Sequence, residues 1–206
     1  MKALESYLDL DFEIIKTVSK YDNEALSRLN RSDLNIGTRA CYLSHYSTLE
    51  LIVKNEYENA LILEDDIDIE LNITDIMAEV HQNLPYDWDM LYLGHCAGRQ
   101  SEYFETDLTV HVLHKTGKPE CTHAYAVSAK GAKKLLEKLD INNPTHNIDE
   151  DISSLIMANE ITSYSIVPYI IIQFKGASDL SDVSPGILGE TYPLMNPTLR
   201  FLGYTH

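Results

Sequence analysis

Residues 60–66 read ALILEDD, so that a run of apolar side chains leads directly into three carboxylates. Consecutive small and branched apolar residues are typical of a strand that is covered on both faces of a sheet. Such strands carry ligand-binding groups at their carboxyl ends, where Glu64, Asp65 and Asp66 stand. Carboxylates this close repel one another unless water or a cation separates them, and their oxygens suit Mg2+ or Mn2+. On spacing alone, a strand that runs out into a solvated acidic loop explains the pattern equally well.

The acidic run continues through residues 67–71, which read IDIEL. In an extended backbone alternate side chains point to the same side. The acids at even positions from 64 to 70 would then lie on one side of the strand, and Ile67, Ile69 and Leu71 on the other. A calcium-binding loop is excluded, because Leu71 stands where that loop needs glycine and Met77 where it needs a bidentate glutamate. We expect Asp68 and Glu70 to be solvated neighbours of the acids at the strand end.

Composition favours one globular domain with no nucleic-acid partner. The chain has 206 residues, 44% of them hydrophobic, which is enough for a single full core. The formal charge is -16, from 32 acidic and 16 basic residues, and no long basic run occurs. Nucleic acid and anionic membrane surfaces are therefore unfavourable partners, whereas bound metal would neutralise part of the clustered acid.

The three cysteines, Cys41, Cys96 and Cys121, are odd in number and irregularly spaced, which does not indicate a disulfide framework. A zinc site that also used His45 and His123 is disfavoured, because the chain has no Cys-x-x-Cys pair. The start of the sequence does not resemble a signal peptide, and no stretch of about 18 apolar residues occurs. We therefore expect a soluble, cytoplasmic protein without a transmembrane segment, in a reducing compartment.

Alternating strand-like and helix-like segments predict an α/β layer fold without internal repeats. Ser128 is expected to cap the helix that follows it. The residues beyond 176 are rich in Gly and Pro and predict a partly ordered flap or arm. The expected strands are 12–17, 59–64, 88–94, 163–167 and 169–174, with a hairpin over 103–128 and helices at 39–55, 75–83, 130–139 and 147–158.

Several nucleotide and hydrolase motifs are absent from the sequence. There is no Gly-x-Gly-x-x-Gly, Walker loop or Gly-x-Ser-x-Gly elbow, so dinucleotide binding, P-loop phosphoryl transfer and the common serine hydrolase arrangement lack their signatures. What remains is a metal-dependent α/β enzyme. In such an enzyme the ion would neutralise a phosphate leaving group.

The block CYLSH at residues 41–45, followed by a helix and then by residues 60–66, resembles the core signature of glycosyltransferase family 25. That family includes lipooligosaccharide and procollagen galactosyltransferases. The ordered set of blocks is far more specific than any one of them, and it covers roughly residues 10 to 183. The other matching blocks are DWDMLYLG at 87–94, THAYAVS at 122–128, IDEDI at 148–152, Gln173, and Ser178 with Asp179.

The resemblance implies a GT-A-like, Rossmann-like mixed sheet flanked by helices, and a nucleotide-sugar donor held with Mn2+ or Mg2+. Asp66 would bind the ion directly, Glu64 would bind the ion, its water shell or the ribose, and Asp65 would assist. The expected reaction transfers a hexose, galactose or glucose, from a UDP-sugar to a glycan or a hydroxylated acceptor. Inversion would need a carboxylate base to take the proton of the acceptor hydroxyl.

That base is expected at Asp149 or Asp151, at the start of a late helix, where helix capping and interaction with the helix dipole are the alternative roles. Ser44 and His45 match the family's Ser-His pair and would contact the donor phosphate or sugar. A buried structural histidine is the alternative.

Two further positions are expected to help bind the nucleotide sugar. Gly94 is expected to begin the loop after a strand and to line the donor pocket, unless it merely forms a turn. Gln173 is expected to reach the donor or the acceptor, unless it is an ordinary amide on an edge strand.

The chain departs from the family pattern at its start. Members usually open with a Val-x-Val-Ile-Asn-Leu strand and an Arg-rich turn, whereas residues 1–5, MKALE, resemble the helix that follows that strand. We expect a family 25-like domain over 1–183, without the usual first strand, and a tail over 184–206. Either the chain is shortened, or another segment such as the tail fills the gap, or donor binding is weakened. A catalytically inactive binding module and a metal-dependent phosphohydrolase are the alternative functions.

Overall fold

The computed structural model describes residues 1–31, 33–96, 111–174 and 193–204. Helices and strands alternate along these residues, as the sequence predicts. The helices are α1 (Lys2–Leu8), α2 (Asn23–Leu26), α3 (Ile36–Lys54), α4 (Ile73–Asn83), α5 (Ala129–Lys138), α6 (Ile148–Met157) and α7 (Thr198–Phe201). The strands are β1 (Asn59–Leu63), β2 (Ile67–Ile69), β3 (Met90–Cys96), β4 (Val112–Lys115), β5 (Glu120–Ser128), β6 (Ser163–Val167) and β7 (Ile171–Gln173).

A five-stranded mixed sheet forms the centre of the molecule, in the order β1-β5-β3-β6-β4. β3 and β6 run parallel, whereas β5 is antiparallel to both of its neighbours, β1 and β3. β2 and β7 form a separate antiparallel pair. This mixed α/β arrangement, with helices packed on the sheet, confirms the predicted fold class and is consistent with a GT-A-like fold.

The strand β3 shows why apolar runs in this sequence form central strands. Its alternate side chains enter two different hydrophobic cores, one on each face of the sheet. Met90 and Tyr92 join the core formed with α3, α5 and α6. Leu91 and Leu93 join the core that includes residues of α1, α4 and α7. Because both faces are covered, every residue of β3 is buried.

Side-chain caps set the starts of the two helices that frame the sheet. The Oδ1 atom of Asn35 accepts a hydrogen bond from the N–H of Thr38 at 2.8 Å, so α3 begins three residues earlier than predicted. The hydroxyl of Ser128 accepts from the N–H of Gly131 at 3.0 Å, which confirms the predicted cap of α5. α3 carries residues of the candidate site near its middle.

Two predicted strand arrangements are wrong. Residues 12–17 form no strand, because they pair with none of the strands in the described structure, and Ile14 and Ile15 are 68% and 37% exposed. The hairpin predicted over 103–128 is also wrong for residues 111–128, the part of this range that the structure describes. β4 pairs with β6, because β1 and β3 already occupy the two edges of β5.

The cysteine prediction is wrong as well, because Cys96 and Cys121 form a disulfide. They lie on adjacent antiparallel strands, with Cys96 in register with Glu120, so their α-carbons are 5.4 Å apart. Sequence spacing alone does not reveal such a pair. The prediction of a reducing compartment rested on unpaired cysteines, and this disulfide removes that support. None of the described helices combines the length and apolar character needed to cross a membrane.

The acids Asp68 and Glu70 are not solvated, which corrects the expectation. Their exposed fractions are 0% and 1%. Asp68 accepts a hydrogen bond from the N–H of Leu199 at 3.0 Å, and Glu70 accepts from the backbone and side-chain nitrogens of Asn196. These acids therefore anchor residues 193–204 against β2. The remainder of the expected flap, with Ser178, Asp179 and the 183/184 boundary, lies outside the described residues.

Candidate functional site

A single large cavity brings most of the predicted site residues together. Its volume is about 1650 Å³, and β1 with the acids after it forms one wall. α3 and the starts of β5 and α6 contribute to the same cavity, together with most of residues 10–21. The predicted site residues on its wall are Ser44, His45, Glu64, Asp65, Asp66, Asp149 and Gln173.

Glu64 is the residue at which these elements meet. Its backbone N–H continues the β1–β5 pairing by donating to the carbonyl of His123 at 2.9 Å. Its Oε1 atom lies 3.3 Å from Nε2 of His45 and 3.3 Å from the hydroxyl of Thr122. Its Oε2 atom accepts from the amide of Gln173 at 3.4 Å. The side chain is 27% exposed, so the carboxylate remains accessible from the cavity.

His45 is buried on α3 and forms an ion pair with Glu64. Burial lowers the pKa of His45, but Tyr125, Cys41 and Glu64 raise it more, and the net result lies well above its ordinary value. Burial likewise raises the pKa of Glu64, but His45 and Thr122 lower it more, so that the net shift is downward. The pair therefore favours a protonated imidazole beside a carboxylate, with Tyr125 3.1 Å from the second ring nitrogen.

The remaining acids of the first run differ in exposure. Asp65 is exposed and Asp66 is partly buried, and both line the cavity. The carbonyl oxygen of Asp66 accepts from the N–H of Phe174 at 2.7 Å, which fixes the backbone just beyond the strand. Within the described ranges, no cluster of three metal-ligating side chains includes Asp65 or Asp66. A hard ion here would therefore take one or two carboxylates and complete its shell with water and phosphate oxygens, which is the usual pattern for Mg2+.

The two aspartates of the second acidic block, residues 148–152, lie in different environments. Asp149 lines the cavity and accepts a hydrogen bond from the N–H of Cys121 at 3.0 Å. Asp151 is buried behind it, outside the cavity lining, and accepts from the hydroxyl of Tyr42 at 3.0 Å. Asp151 also accepts from the N–H of His146 at 3.1 Å. The structure therefore brings Asp149 to the site and uses Asp151 to hold the chain before α6.

Ser44 and Gly94 complete the predicted set. The hydroxyl of Ser44 accepts from the N–H of Val18 at 3.0 Å and so ties the wall formed by residues 10–21 to α3. Gly94 does not begin a loop, because β3 continues to Cys96, and it does not line the cavity. A Cβ atom at Gly94 would lie 1.8 Å from the carbonyl oxygen of Ile171, so glycine permits a close backbone approach.

The family model described as "Glycosyltransferase family 25 (LPS biosynthesis protein)" matches residues 10–152, which is more than half of the chain. The chain belongs to glycosyltransferase family 25. The match spans the cavity wall from residues 10–21 through Glu64 to Asp149.

Similar proteins carry related names. Procollagen galactosyltransferase 1-B of Xenopus laevis is 27% identical over 225 residues, covering 92% of this chain and 36% of that protein. Procollagen galactosyltransferase 1 of Danio rerio is 31% identical over 107 residues, covering 50% of this chain and 18% of that protein. A Bos taurus protein named "Probable inactive glycosyltransferase 25 family member 3" is 34% identical over 108 residues, covering 50% of this chain and 18% of that protein. This family 25 chain therefore spans between about a fifth and about a third of the length of these relatives.

Sequence reasoning missed two residues of this family 25 site. Thr122 and Tyr125 contact Glu64 and His45, and they lie in the quoted THAYAVS block, where no role was assigned to them. Cys41, which the sequence analysis considered only for a disfavoured zinc site with the other cysteines, lies one helical turn before His45 on the same side of α3. What the sequence does not show is that β5 passes beside α3 at this point.

Proposed function

We propose that this family 25 chain is a metal-dependent glycosyltransferase that moves a hexose, galactose or glucose, from a UDP-sugar to a glycan or a hydroxylated acceptor, with inversion. Family membership supports a transferase, and the names of the relatives support galactose as the sugar. The acidic run at the end of β1, facing a cavity large enough for a nucleotide sugar, supports the choice of donor.

The convergence on Glu64 is the observation that carries the proposal. Three elements that are distant in sequence supply the partners of this one carboxylate, through His45, Thr122 and Gln173. A carboxylate fixed on both oxygens at the end of a strand is preorganised to position a ligand. Its partial exposure leaves it available to the ribose of the donor or to water around a metal ion.

Asp66 is proposed to bind Mn2+ or Mg2+ directly, with Asp65 assisting and Glu64 binding the ion or its water shell. These carboxylates suit an ion that takes one or two ligands from the protein and the others from substrate phosphates, as Mg2+ commonly does. When bound, the metal would supply charge stabilisation for the departing diphosphate. The protein's own contribution would be to orient the donor and to hold the carboxylates in place.

Asp149 is the proposed base for the acceptor hydroxyl. It lies on the cavity wall, and the N–H of Cys121 fixes one of its oxygens, so the side chain is held near the opening of α6. Asp151 is committed to hydrogen bonds with Tyr42 and His146, which leaves Asp149 as the better placed of the two predicted carboxylates. A base in this position would contribute about 10²–10⁴-fold to the rate.

A catalytically inactive binding module is the second candidate. The resemblance to a relative named as probably inactive is the observation that favours it. This module would still bind a nucleotide sugar in the cavity but would not release UDP. The relatives named above are all glycosyltransferase family members, so the phosphohydrolase alternative gains no support from them.

Thermal unfolding with Mn2+ and UDP tests the proposal. With UDP at 100 times its Kd, we expect about 2.7 kcal/mol of stabilisation, which corresponds to a rise in Tm of roughly 5–10 °C. Asp66→Asn should remove the rise. Glu79→Gln is the matched control, because Glu79 is exposed on α4 and does not line the cavity.

Release of UDP from UDP-galactose and UDP-glucose then separates the two candidates. Metal-dependent release by the wild-type protein that Asp149→Asn lowers about 100-fold or more supports the transferase. Binding without any release supports the inactive module. Wild-type protein that shows no metal-dependent UDP binding contradicts both.

A further inference from the structure

We propose that Cys41, His45 and Glu64 form a Zn2+-binding centre on the cavity wall, with a fourth coordination position open to the cavity. One ligand atom from each side chain lies within 4.8 Å of the other two. Two of the residues share a face of α3 because they are four positions apart, and Glu64 meets them from the end of β1. The helix and the strand therefore assemble the set without any loop rearrangement.

The donor set fits zinc better than a hard metal. A thiolate, an imidazole and a carboxylate are the three side-chain types that bind Zn2+, whereas Mg2+ and Mn2+ prefer oxygen alone. Ligand atoms at zinc bond lengths of about 2.0–2.3 Å lie roughly 3.3–3.8 Å apart around a tetrahedron. The distance from Nε2 of His45 to Oε1 of Glu64 is 3.3 Å, so this pair already has the required separation. The sulfur would close the remaining gap by moving on the order of 1 Å.

The surrounding hydrogen bonds orient these ligands as the outer partners of metal sites do. Nδ1 of His45 lies 3.1 Å from the hydroxyl of Tyr125, which can accept its proton, so that the ion would displace the second imidazole proton from Nε2 and bind there. Tyr125 is fully buried and so holds the ring in place. The amide of Gln173 holds the other oxygen of Glu64. Both ligands therefore have a second contact that fixes their direction.

Three protein ligands and an open position are typical of reactive zinc sites rather than closed structural ones. Cys41, His45 and Glu64 all line the cavity, so the fourth position would face ligands that enter it. The centre would thus hold Zn2+ together with water or with an anionic oxygen of a bound molecule. Oε1 of Glu64 would serve this ion, whereas Oε2, beside Gln173, remains for the donor ribose or the water shell of the ion of the proposed transferase.

A second cluster with similar chemistry does not compete in the oxidised protein. Cys96, Cys121 and His123 also converge, but the two sulfurs are bonded to each other and offer no thiolate. Cys41 is the chain's only free cysteine. A metal–thiolate signal from the oxidised protein can therefore come from Cys41 alone, which makes the proposal directly testable.

Titration with Co2+, a spectroscopic substitute for Zn2+, tests the centre. The chelator-treated, disulfide-bonded protein should bind one equivalent and develop a thiolate-to-cobalt charge-transfer band in the near ultraviolet, which Zn2+ then removes. Cys41→Ser should abolish the band, and His45→Gln should lower the Co2+ affinity at least about tenfold. Tyr125→Phe should lower it about tenfold by removing the outer hydrogen bond alone.

Two controls place the signal at this site. The double variant Cys96→Ser/Cys121→Ser should keep the band, because its sulfurs are not the proposed ligands. Asp66→Asn should also keep it, which separates this centre from the ion of the proposed transferase. Because metal binding is measured without turnover, failure of the transferase proposal does not affect the result.

Alkylation of Cys41 in the wild-type protein gives a second measurement that needs no variant. Zn2+ should slow the reaction of this cavity-lining thiol with iodoacetamide at least about tenfold, whereas Mn2+ should not. The absence of a charge-transfer band in the wild-type protein would overturn the proposal. So would a band that survives Cys41→Ser, a band that disappears in the double variant, or an alkylation rate that Zn2+ leaves unchanged.

Discussion

The acidic run from Glu64 to Glu70 consists of two halves that the fold uses in different ways. The first half, residues 64–66, faces the cavity and keeps its carboxylates accessible to a ligand. In the second half, Asp68 and Glu70 are buried and accept hydrogen bonds from residues 193–204. The residue types are the same, so what differs is the partner. A segment more than 120 residues away in sequence decides that the second half is structural.

The same division appears in the second acidic block. Asp149 faces the cavity. Asp151, two residues further along α6, instead accepts hydrogen bonds from Tyr42 and from the chain before α6. In each block, therefore, one carboxylate is open to a ligand and a near neighbour binds the protein itself. Stability measurements should separate these two kinds of acid.

The largest effect is expected at Asp68. Asp68→Ala should lower the free energy of unfolding by about 3 kcal/mol, because it removes a fully buried acceptor and leaves the N–H of Leu199 without its carboxylate. Urea unfolding measures the loss. Hydrogen exchange at Leu199 should accelerate more than exchange in β3.

Asp65→Ala is the matched control for that substitution. Asp65 lies three positions earlier in the same run but is exposed, so its removal should change the free energy of unfolding by less than about 0.5 kcal/mol. Equal losses in the two variants would contradict the division of the run into cavity and structural halves.

Asp151 provides the intermediate test. Asp151→Ala should cost about 2 kcal/mol, because the hydroxyl of Tyr42 and the N–H of His146 both lose their acceptor. Asp149→Ala removes one hydrogen bond to Cys121 and should cost about 1 kcal/mol or less. Chemical unfolding of both variants measures the difference. If Asp149 proves the more costly loss, its assignment to the site rather than to the fold is wrong.

The sequence predicted the central elements because their signals are local. The apolar runs before Glu64 and within β3, and the cap at Ser128, each depend on neighbouring residues. The same locality explains why the sequence blocks at residues 41–45 and 60–66 indicate Glu64 and His45 as site residues. Their convergence depends on β5 lying between β1 and β3, which also brings in Thr122.

The errors share one physical cause, which is that the deciding contact is distant in sequence. Burial of Asp68 depends on Leu199, the Cys96–Cys121 disulfide depends on antiparallel pairing, and Gly94 depends on the backbone of Ile171. Residues 12–17 have strand-forming side chains but no partner strand within the described structure. Side-chain pattern predicts what an element can become, and the partner determines whether it does.

The smallest effect is a pH dependence at Asp89, another buried acid that binds the protein itself. Burial raises the pKa of Asp89, but Lys134, the N–H of Thr162 and Lys130 lower it more, so the folded value lies below the ordinary one. A carboxyl whose pKa is depressed by folding contributes stability above its unfolded pKa, near 4, and loses that contribution as pH falls through the folded pKa. The contribution should be about 1 kcal/mol, since the two lysines are 50% and 38% exposed.

Urea unfolding of wild-type protein and Asp89→Asn between pH 6 and about 3 measures this contribution. The wild-type protein should be the more stable at pH 6, and its advantage should shrink as the pH falls below about 4. Asp65→Asn, which changes an exposed acid on the cavity wall, should give a curve parallel to that of the wild type. If the Asp89→Asn and wild-type curves are parallel over the whole range, the ion pairs of Asp89 do not stabilise the fold. The pH dependence would then have to come from other acids, and the distinction between cavity and structural carboxylates would rest on Asp68 and Asp151 alone.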